Sequence, residues 1–195
     1  MKTLIIYAHP DTGGHCAEIL NNVIASLKEI ETDIVLLNLY KMKYDPLLHE
    51  KEHYTRGNYT ISKQNKEIQK QITNADKLIF IYPVWWNSMP AIMKGFIDRV
   101  FTSKFAFEFV NGYPKGLLKG RKAAVFITSG ANNFMSCLFM GKRAAKIMKP
   151  KTLIPMQHDI FEIQKHDVKD LDKRIKESVL NTKTVLLTPG RKIRL

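Results

Sequence analysis

Residues 77–101, KLIFIYPVWWNSMPAIMKGFIDRVF, decide the fold of this chain. The apolar run from Lys77 to Tyr82 is rich in aromatic and β-branched residues and too short for a lone helix, so it predicts a strand buried on both faces. From Pro90 the spacing becomes helical, with the proline in the first turn. Two tryptophans lie between them, at the strand end where parallel sheets bind ligands. The predicted buried stripe of the helix is Ile92, Met93, Phe96, Ile97, Val100 and Phe101.

A similar strand–turn–helix unit opens the chain. Thr3 to Ala8 predicts a strand, and residues 9–16, HPDTGGHC, form the turn before a helix. Gly13 and Gly14 in this turn leave backbone N–H groups free at the positive end of the helix dipole, which favours a phosphate there. A plain tight turn is the alternative interpretation. The chain contains neither GxGxxG nor GxxxxGK[ST], so a dinucleotide Rossmann loop and a P-loop are not supported.

The segment between the first unit and residue 77 holds one more strand and a polar helix. Asp33 to Leu39 predicts strand two, and Ser62 to Asn74 predicts a helix with a narrow apolar stripe. The long polar loop from Tyr40 to Ile61 indicates a functional or interface element. Within it, His49 and His53 lack a carboxylate or cysteine that completes a metal site, so they are interpreted as surface or interface side chains.

The second half of the chain continues the alternation. Phenylalanines at spacing two between Thr102 and Lys119 predict an extended or hairpin excursion. Lys122 to Thr128 predicts strand four, and the small residues that follow it allow a ligand to approach the backbone closely. The remaining predicted elements are a helix from Met135 to Lys149, strand five from Thr152 to Met156, and a last helix from Asp167 to about Leu187.

Five apolar strands alternating with five helices predict an α/β fold: a flavodoxin-like three-layer sandwich around a five-stranded parallel sheet of order 2-1-3-4-5. The sequence has no internal repeat, low-complexity tract or linker, so residues 1–195 are predicted to form a single domain. In this order the turns after strands one, three and four meet at one edge, where we expect the ligand site.

The net charge of the chain bears on which partners it can bind. The chain has 31 Lys+Arg against 18 Asp+Glu, a net charge of +13. Because the basic residues are mostly spread singly and no zinc-finger, RRM or KH signature accompanies them, we interpret the charge as a solvated surface that attracts phosphorylated ligands, and expect no nucleic-acid partner.

Two distant cysteines form no disulfide framework or metal motif, which favours a reducing cytoplasm. The amino terminus predicts a strand, not a signal peptide, and no apolar run approaches the roughly 20 residues of a membrane span.

Three motifs carry a resemblance to a known family. Ala8-His9-Pro10, the segment from Tyr82 to Phe101, and residues 116–123, GLLKGRKA, are similar to the NAD(P)H quinone reductase family of flavodoxin-like flavoproteins. That family includes bacterial general stress proteins, modulators of drug activity and ancillary subunits of potassium-efflux systems. The likeness covers nearly the whole chain, and its specific part is the tryptophan-to-DRVF segment.

The resemblance implies a cofactor, a donor and partners. The cofactor is FMN, with FAD as the alternative, since a compact chain resembles the bacterial members more than the extended mammalian ones. NAD(P)H is the hydride donor, and a quinone or other planar small molecule is the acceptor. A homodimer with its active sites at the subunit interface is implied too, and a membrane association only through docking to a transporter.

By position, the resemblance also implies which residues bind the flavin. The first turn surrounds the phosphate, the second runs along the ring edge, and the third passes the N1/O2 edge, where amide dipoles favour the reduced ring. An alternative role for the tryptophans is to pack the core or a dimer. The implied flavin-binding residues are His9, Gly13, Gly14, His15, Cys16, Pro83, Val84, Trp85, Trp86, Asn87, Thr128, Ser129, Gly130 and Ala131.

One departure from the family bears on the chemistry. After strand four this sequence has Phe134 and Cys137 where the mammalian enzymes use a tyrosine and a histidine, and no histidine lies between Phe134 and His158. No catalytic side chain is therefore expected, and quinone turnover is slower or the acceptor differs. Two rival functions stay open: a regulatory subunit of a potassium-efflux transporter, and a flavodoxin-type electron carrier, although such carriers are typically acidic.

Overall fold

A computed structural model describes residues 1–53, 57–86, 88–129, 152–153 and 183–184. A 3-10 helix, Glu50–Glu52, lies in the loop after the second strand. The other elements, in chain order, are β1 (Lys2–Tyr7), α1 (Gly14–Glu29), β2 (Asp33–Asn38), α2 (Lys63–Asn74), β3 (Lys77–Val84), α3 (Ala91–Val100), β4 (Phe107–Val110), β5 (Tyr113–Gly116), β6 (Lys122–Ser129), β7 (Thr152–Leu153) and β8 (Lys183–Thr184).

The central sheet has four parallel strands in the order β2-β1-β3-β6. This confirms the order predicted for strands one to four. Helices cover both faces, because the strands place alternate side chains on opposite sides. On one face Ile5 and Ile79 pack with Leu20 of α1, and on the other Ile6 and the α3 residue Phe96 share a core. The flavodoxin-like α/β fold is therefore present.

Helix α2 is fixed at both ends by side chains. Ser62 accepts a hydrogen bond from the backbone N–H of Asn65 at 3.2 Å, which caps the first turn. At the other end, Arg121 donates from Nε to the carbonyl of Ile72 at 3.1 Å and from Nη2 to that of Thr73 at 2.6 Å. A residue just before β6 thus satisfies carbonyls that the end of α2 leaves without helical partners.

The hairpin prediction between residues 102 and 119 is confirmed. Strands β4 and β5 pair antiparallel, with Val110 opposite Tyr113. The two residues between them, Asn111 and Gly112, both have positive φ, 51° and 79°. This is the left-handed pair that tight hairpins require, and asparagine and glycine adopt it most readily.

The described residues of the carboxyl-terminal part differ from the prediction in two respects. Strand β7 pairs in parallel with β8, not with the four-stranded sheet, so the five-strand order is not reproduced among the described residues. Lys183 and Thr184 form β8 inside the range predicted as the last helix. The reason is local: the apolar stripe that predicted this helix ends at Val179, and β-branched Thr184 favours a strand. The predicted helix 135–149 and residues 154–156 of strand five lie outside the described residues.

No helix in the described ranges combines the length and apolar character needed to cross a bilayer.

Candidate functional site at the carboxyl edge of the sheet

The carboxyl ends of β1, β3 and β6 lie side by side. The register places Tyr7 of β1 beside Ile81 of β3, and Pro83 of β3 beside Thr128 of β6. Neighbouring parallel strands of such a sheet end at the same edge, where ligands bind. The structure therefore brings together the strand ends from which the three predicted segments start.

The turn after β1 is held by hydrogen bonds around Asp11. The Asp11 backbone N–H donates to His9 Nδ1 at 3.1 Å, and the Tyr7 hydroxyl donates to the Asp11 carbonyl at 3.3 Å. Burial, with the nearby Cys16 thiol and Asp11 carboxylate, raises the pKa of Tyr7 to about 12, so this hydroxyl keeps its proton.

The amino terminus of α1 is open to an anion. Its N-cap residue, Gly13, provides no side-chain cap, and the first turn contains no acidic residue. Gly14 has a φ of +75°, which glycine adopts without steric cost, and His15 is exposed. The first backbone N–H groups of a helix and the positive end of its dipole therefore face this turn.

Cys16 lies beneath the first turn. Its Sγ is 3.1 Å from Thr128 Oγ1, and both side chains are buried, so the contact joins the first turn of α1 to the end of β6. Burial raises the pKa of the Cys16 thiol, and the hydrogen bond with Thr128 only partly opposes this. Cys16 thus forms part of the buried layer under the turn after β1, and it stays a neutral thiol at physiological pH.

The tryptophan turn presents its indoles to solvent. The backbone of Trp85 and Ser88 exchanges two hydrogen bonds, 2.9 and 3.0 Å, which closes a tight turn. Trp86 within it has a φ of 51°, unusual for a bulky residue, and is 100% exposed. Trp85 is 42% exposed and its ring centroid lies 6.1 Å from that of His9. Neither indole belongs to the core, and a positive φ at an aromatic residue is the kind of strain found at functional sites.

The described part of the third predicted segment is the end of β6. Thr128 is buried and Ser129 is half-buried at the end of β6. Asn87, Gly130 and Ala131, which were also expected at the site, lie outside the described residues.

The predicted surface position of His49 and His53 agrees with their exposure. His49 Nε2 lies 2.6 Å from Asp45 Oδ2. Across the described part of the chain, no three His, Cys, Asp or Glu side chains are grouped so as to hold a metal ion.

Comparison with known proteins identifies the family. Residues 1–150 match the family described by a flavodoxin-like fold. The chain belongs to this family.

Its relatives include named oxidoreductases, which confirms the resemblance to quinone reductases. This flavodoxin-like chain is 35% identical over 133 residues to an uncharacterized NAD(P)H oxidoreductase of Haemophilus influenzae, and 30% identical over 154 residues to NAD(P)H dehydrogenase [quinone] 1 of Cavia porcellus. The matches cover 68% and 70% of this chain but only 66% and 56% of those relatives.

A solved structure shares the fold. It is the FMN-dependent NADH-azoreductase of Bacillus anthracis in complex with FMN, with a TM-score of 0.58 and 20% identity, covering 95% of this chain and 86% of that one.

Sequence reasoning missed a buried ion pair in this flavodoxin-like chain. Arg99 of α3 is only 6% exposed and binds Glu52 through two bonds, Nε to Oε2 at 2.8 Å and Nη2 to Oε1 at 2.9 Å. It also donates from Nη1 to the Asp45 carbonyl, and its Cζ lies 5.5 Å from the Tyr44 ring centroid. The predicted apolar stripe named Ile97 and Phe101, which are only half-buried. The sequence signal for this ion pair was Arg99 itself, a charged residue directly before Val100 of the buried stripe.

These contacts hold residues 44–53, here called the strap, against α3. The Tyr44 hydroxyl donates to Asn65 Oδ1 of α2 at 2.8 Å. A Cβ built on Gly95 would lie 2.1 Å from the Pro46 carbonyl oxygen, so the strap packs directly on the helix backbone. Residues 44–53 of the long polar loop are therefore packed against α2 and α3.

The strap carries two carboxylates with depressed pKa values. Burial raises the pKa of Glu52, but the bonds from Arg99 and from the His49 backbone N–H outweigh it, and the result lies below the usual value. The Leu47 backbone N–H and the His49 ring lower the pKa of Asp45. Both groups are therefore charged at neutral pH.

We expect the strap to lose stability in acid. A carboxyl group whose folded-state pKa is depressed stabilises the fold fully above its unfolded pKa, about 4.3 for glutamate, and loses this as the pH falls through the folded value. Urea unfolding of the wild type and Glu52→Gln should therefore differ most at pH 6–7, and the difference should shrink as the pH falls below about 4.3 and through the lower folded-state pKa. An unchanged difference at pH 3 would contradict the assignment.

Proposed function

We propose that this chain is a flavin-dependent NAD(P)H oxidoreductase that reduces quinones or similar flat acceptors by two-electron, ping-pong hydride transfer. The observation that carries the proposal is the uncapped start of α1 at the same sheet edge as the exposed Trp86. Anion donors beside an aromatic surface suit a ligand with a phosphate and a flat ring. The names of the two oxidoreductase relatives support the reaction class.

FMN fits the donors present at this edge, and we propose it in preference to FAD because the structurally similar azoreductase binds FMN. The first turn would hold the phosphate through His9, Gly13, Gly14 and His15, with Cys16 as floor. Backbone N–H groups at the α1 start supply the charge complementarity that a phosphate needs.

The other two turns would hold the ring. As the resemblance implies, residues 83–87, including Trp85 and Trp86, would line one edge of the ring, and residues 128–131 would approach the other edge with small side chains. Bound FMN supplies the group that accepts a hydride from NAD(P)H and passes it to the acceptor. The protein contributes position, exclusion of water and amide dipoles. No side chain acts as acid or base, and protons come from water.

Assembly and topology complete the proposal. We propose a homodimer of single-domain chains in the cytoplasm, with a fifth sheet strand at the β6 edge. Support for the strand is that β7 has Cα atoms within 8 Å of β6. Support for the dimer is the set of exposed apolar side chains on the described surface, among them Leu47, Phe109 and Tyr113.

The test is to purify the recombinant chain gently, release any flavin with acid, identify it by mass, and assay menadione reduction with NADH and NADPH. We expect FMN and turnover with at least one nicotinamide. A colourless protein that cannot be reconstituted with FMN or FAD would overturn the proposal.

Trp86→Gly sharpens the test, because glycine tolerates the positive φ and keeps the turn. Loss of the indole should reduce kcat/KM for menadione about three- to tenfold, from an aromatic contact of about 0.5–1.5 kcal/mol. Ile30→Ala is the matched control. This exposed apolar residue caps the far end of α1, and its replacement should leave turnover unchanged. Equal effects of the two variants would contradict a role for Trp86 at the ring.

A further inference from the structure

The Asp11 carboxylate binds the residue that begins α1. Its Oδ1 accepts a hydrogen bond from the Gly13 backbone N–H at 3.0 Å. A Cβ built on Gly13 would lie 3.7 Å from Oδ1 and 3.9 Å from Oδ2, so both carboxylate oxygens face this residue. A negative charge thus lies at the position where the helix start attracts anions.

Hydrogen bonds hold the backbone of Asp11 in place. Its N–H is bound to His9 Nδ1 at 3.1 Å, and its carbonyl accepts the Tyr7 hydroxyl at 3.3 Å. These contacts fix the backbone on both sides of the carboxylate. The bond to Gly13 is an Asx turn to the N–H of the N-cap residue itself, so it places a carboxylate beside the helix start while the first turn of α1 keeps no side-chain cap and no acidic residue.

Resting on the proposed function, we infer that the Asp11 carboxylate is an intramolecular placeholder for the flavin phosphate. It accepts the Gly13 N–H in the cofactor-free protein and gives it up when the phosphate binds. A carboxylate and a phosphate cannot both remain beside one donor without repulsion between like charges. Asp11 therefore preorganises the turn and at the same time weakens the preference for phosphorylated over unphosphorylated flavin.

The test compares FMN with riboflavin, which differ only in the phosphate. Dissociation constants are measured by flavin fluorescence for the wild type and Asp11→Asn at low salt. Asparagine keeps an oxygen acceptor for Gly13 but removes the charge. FMN should bind about three- to tenfold more tightly to Asp11→Asn, as one nearby exposed charge predicts, while riboflavin affinity stays within about twofold. Thermal melting verifies that the variant is folded.

Asp33→Asn is the matched control, because it removes the same charge at the opposite edge of the sheet, from a side chain that is 67% exposed. It should change neither affinity. Salt at 0.5 M should shrink the FMN effect of Asp11→Asn, because exposed charges are screened.

Equal tightening of FMN and riboflavin, or weaker FMN binding by Asp11→Asn, would overturn the placeholder. Failure of the wild type to bind either flavin would instead overturn the proposed function itself, so the two failures are distinguishable.

Discussion

Replacing Arg99 with methionine is expected to lower the free energy of unfolding by about 3–5 kcal/mol, the usual cost of leaving one member of a buried ion pair unpaired. Both side chains of the Arg99–Glu52 pair are 6% exposed, so water cannot replace the lost guanidinium. The same variant also removes a donor to the Asp45 carbonyl. Urea denaturation at pH 7 measures the loss.

The control for Arg99→Met lies on the same helix. Lys94 pairs with Asp98, but both side chains are substantially exposed, 57% and 39%. Lys94→Met should therefore cost less than about 1 kcal/mol, as exposed pairs do. Similar losses for the two variants would show that Arg99 is not desolvated as the structure describes.

Gly95→Ala should detach the strap from α3. The new Cβ would lie 2.1 Å from the carbonyl oxygen of Pro46 and 2.5 Å from its Cα, and these backbone atoms can yield only if the strap moves. We expect a loss of at least about 2 kcal/mol, because overpacking of this kind outweighs the roughly 1 kcal/mol that alanine gains over glycine in a helix.

Two measurements check the Gly95 prediction. Urea denaturation gives the stability, and limited proteolysis should cut the strap faster in the variant than in the wild type. Gly116→Ala is the control, because its new Cβ meets nothing within 4 Å and should change stability by less than about 0.5 kcal/mol. A Gly95→Ala protein as stable and as resistant as the wild type would refute the close packing.

The central layers could be predicted because their signals are local. Residues 77–101 contain a strand and a helix that differ in apolar period, and the turn between them falls at the sheet edge whatever the distant chain does. The open helix start after Gly13 likewise follows from the short stretch 9–16. For these elements the sequence was sufficient.

The strap could not be predicted in the same way. Arg99 is buried only because Glu52, 47 residues earlier, neutralises it, and no periodicity in α3 reveals that partner. The need for glycine at position 95 likewise comes from the backbone of Pro46, which nothing in the pattern of α3 indicates. The Asp11 hydrogen bonds were also missed, since they depend on the folded turn. The prediction that the last helix runs to about Leu187 was wrong at Lys183 and Thr184, which form β8. The apolar stripe behind that prediction ends at Val179, before β-branched Thr184.

The contact between Cys16 and Thr128 spans 112 residues and joins the first turn of α1 to the end of β6. During synthesis, the edge is therefore incomplete until β6 has left the ribosome. A nascent chain should therefore complete this edge of the sheet late, well after the amino-terminal helix can form.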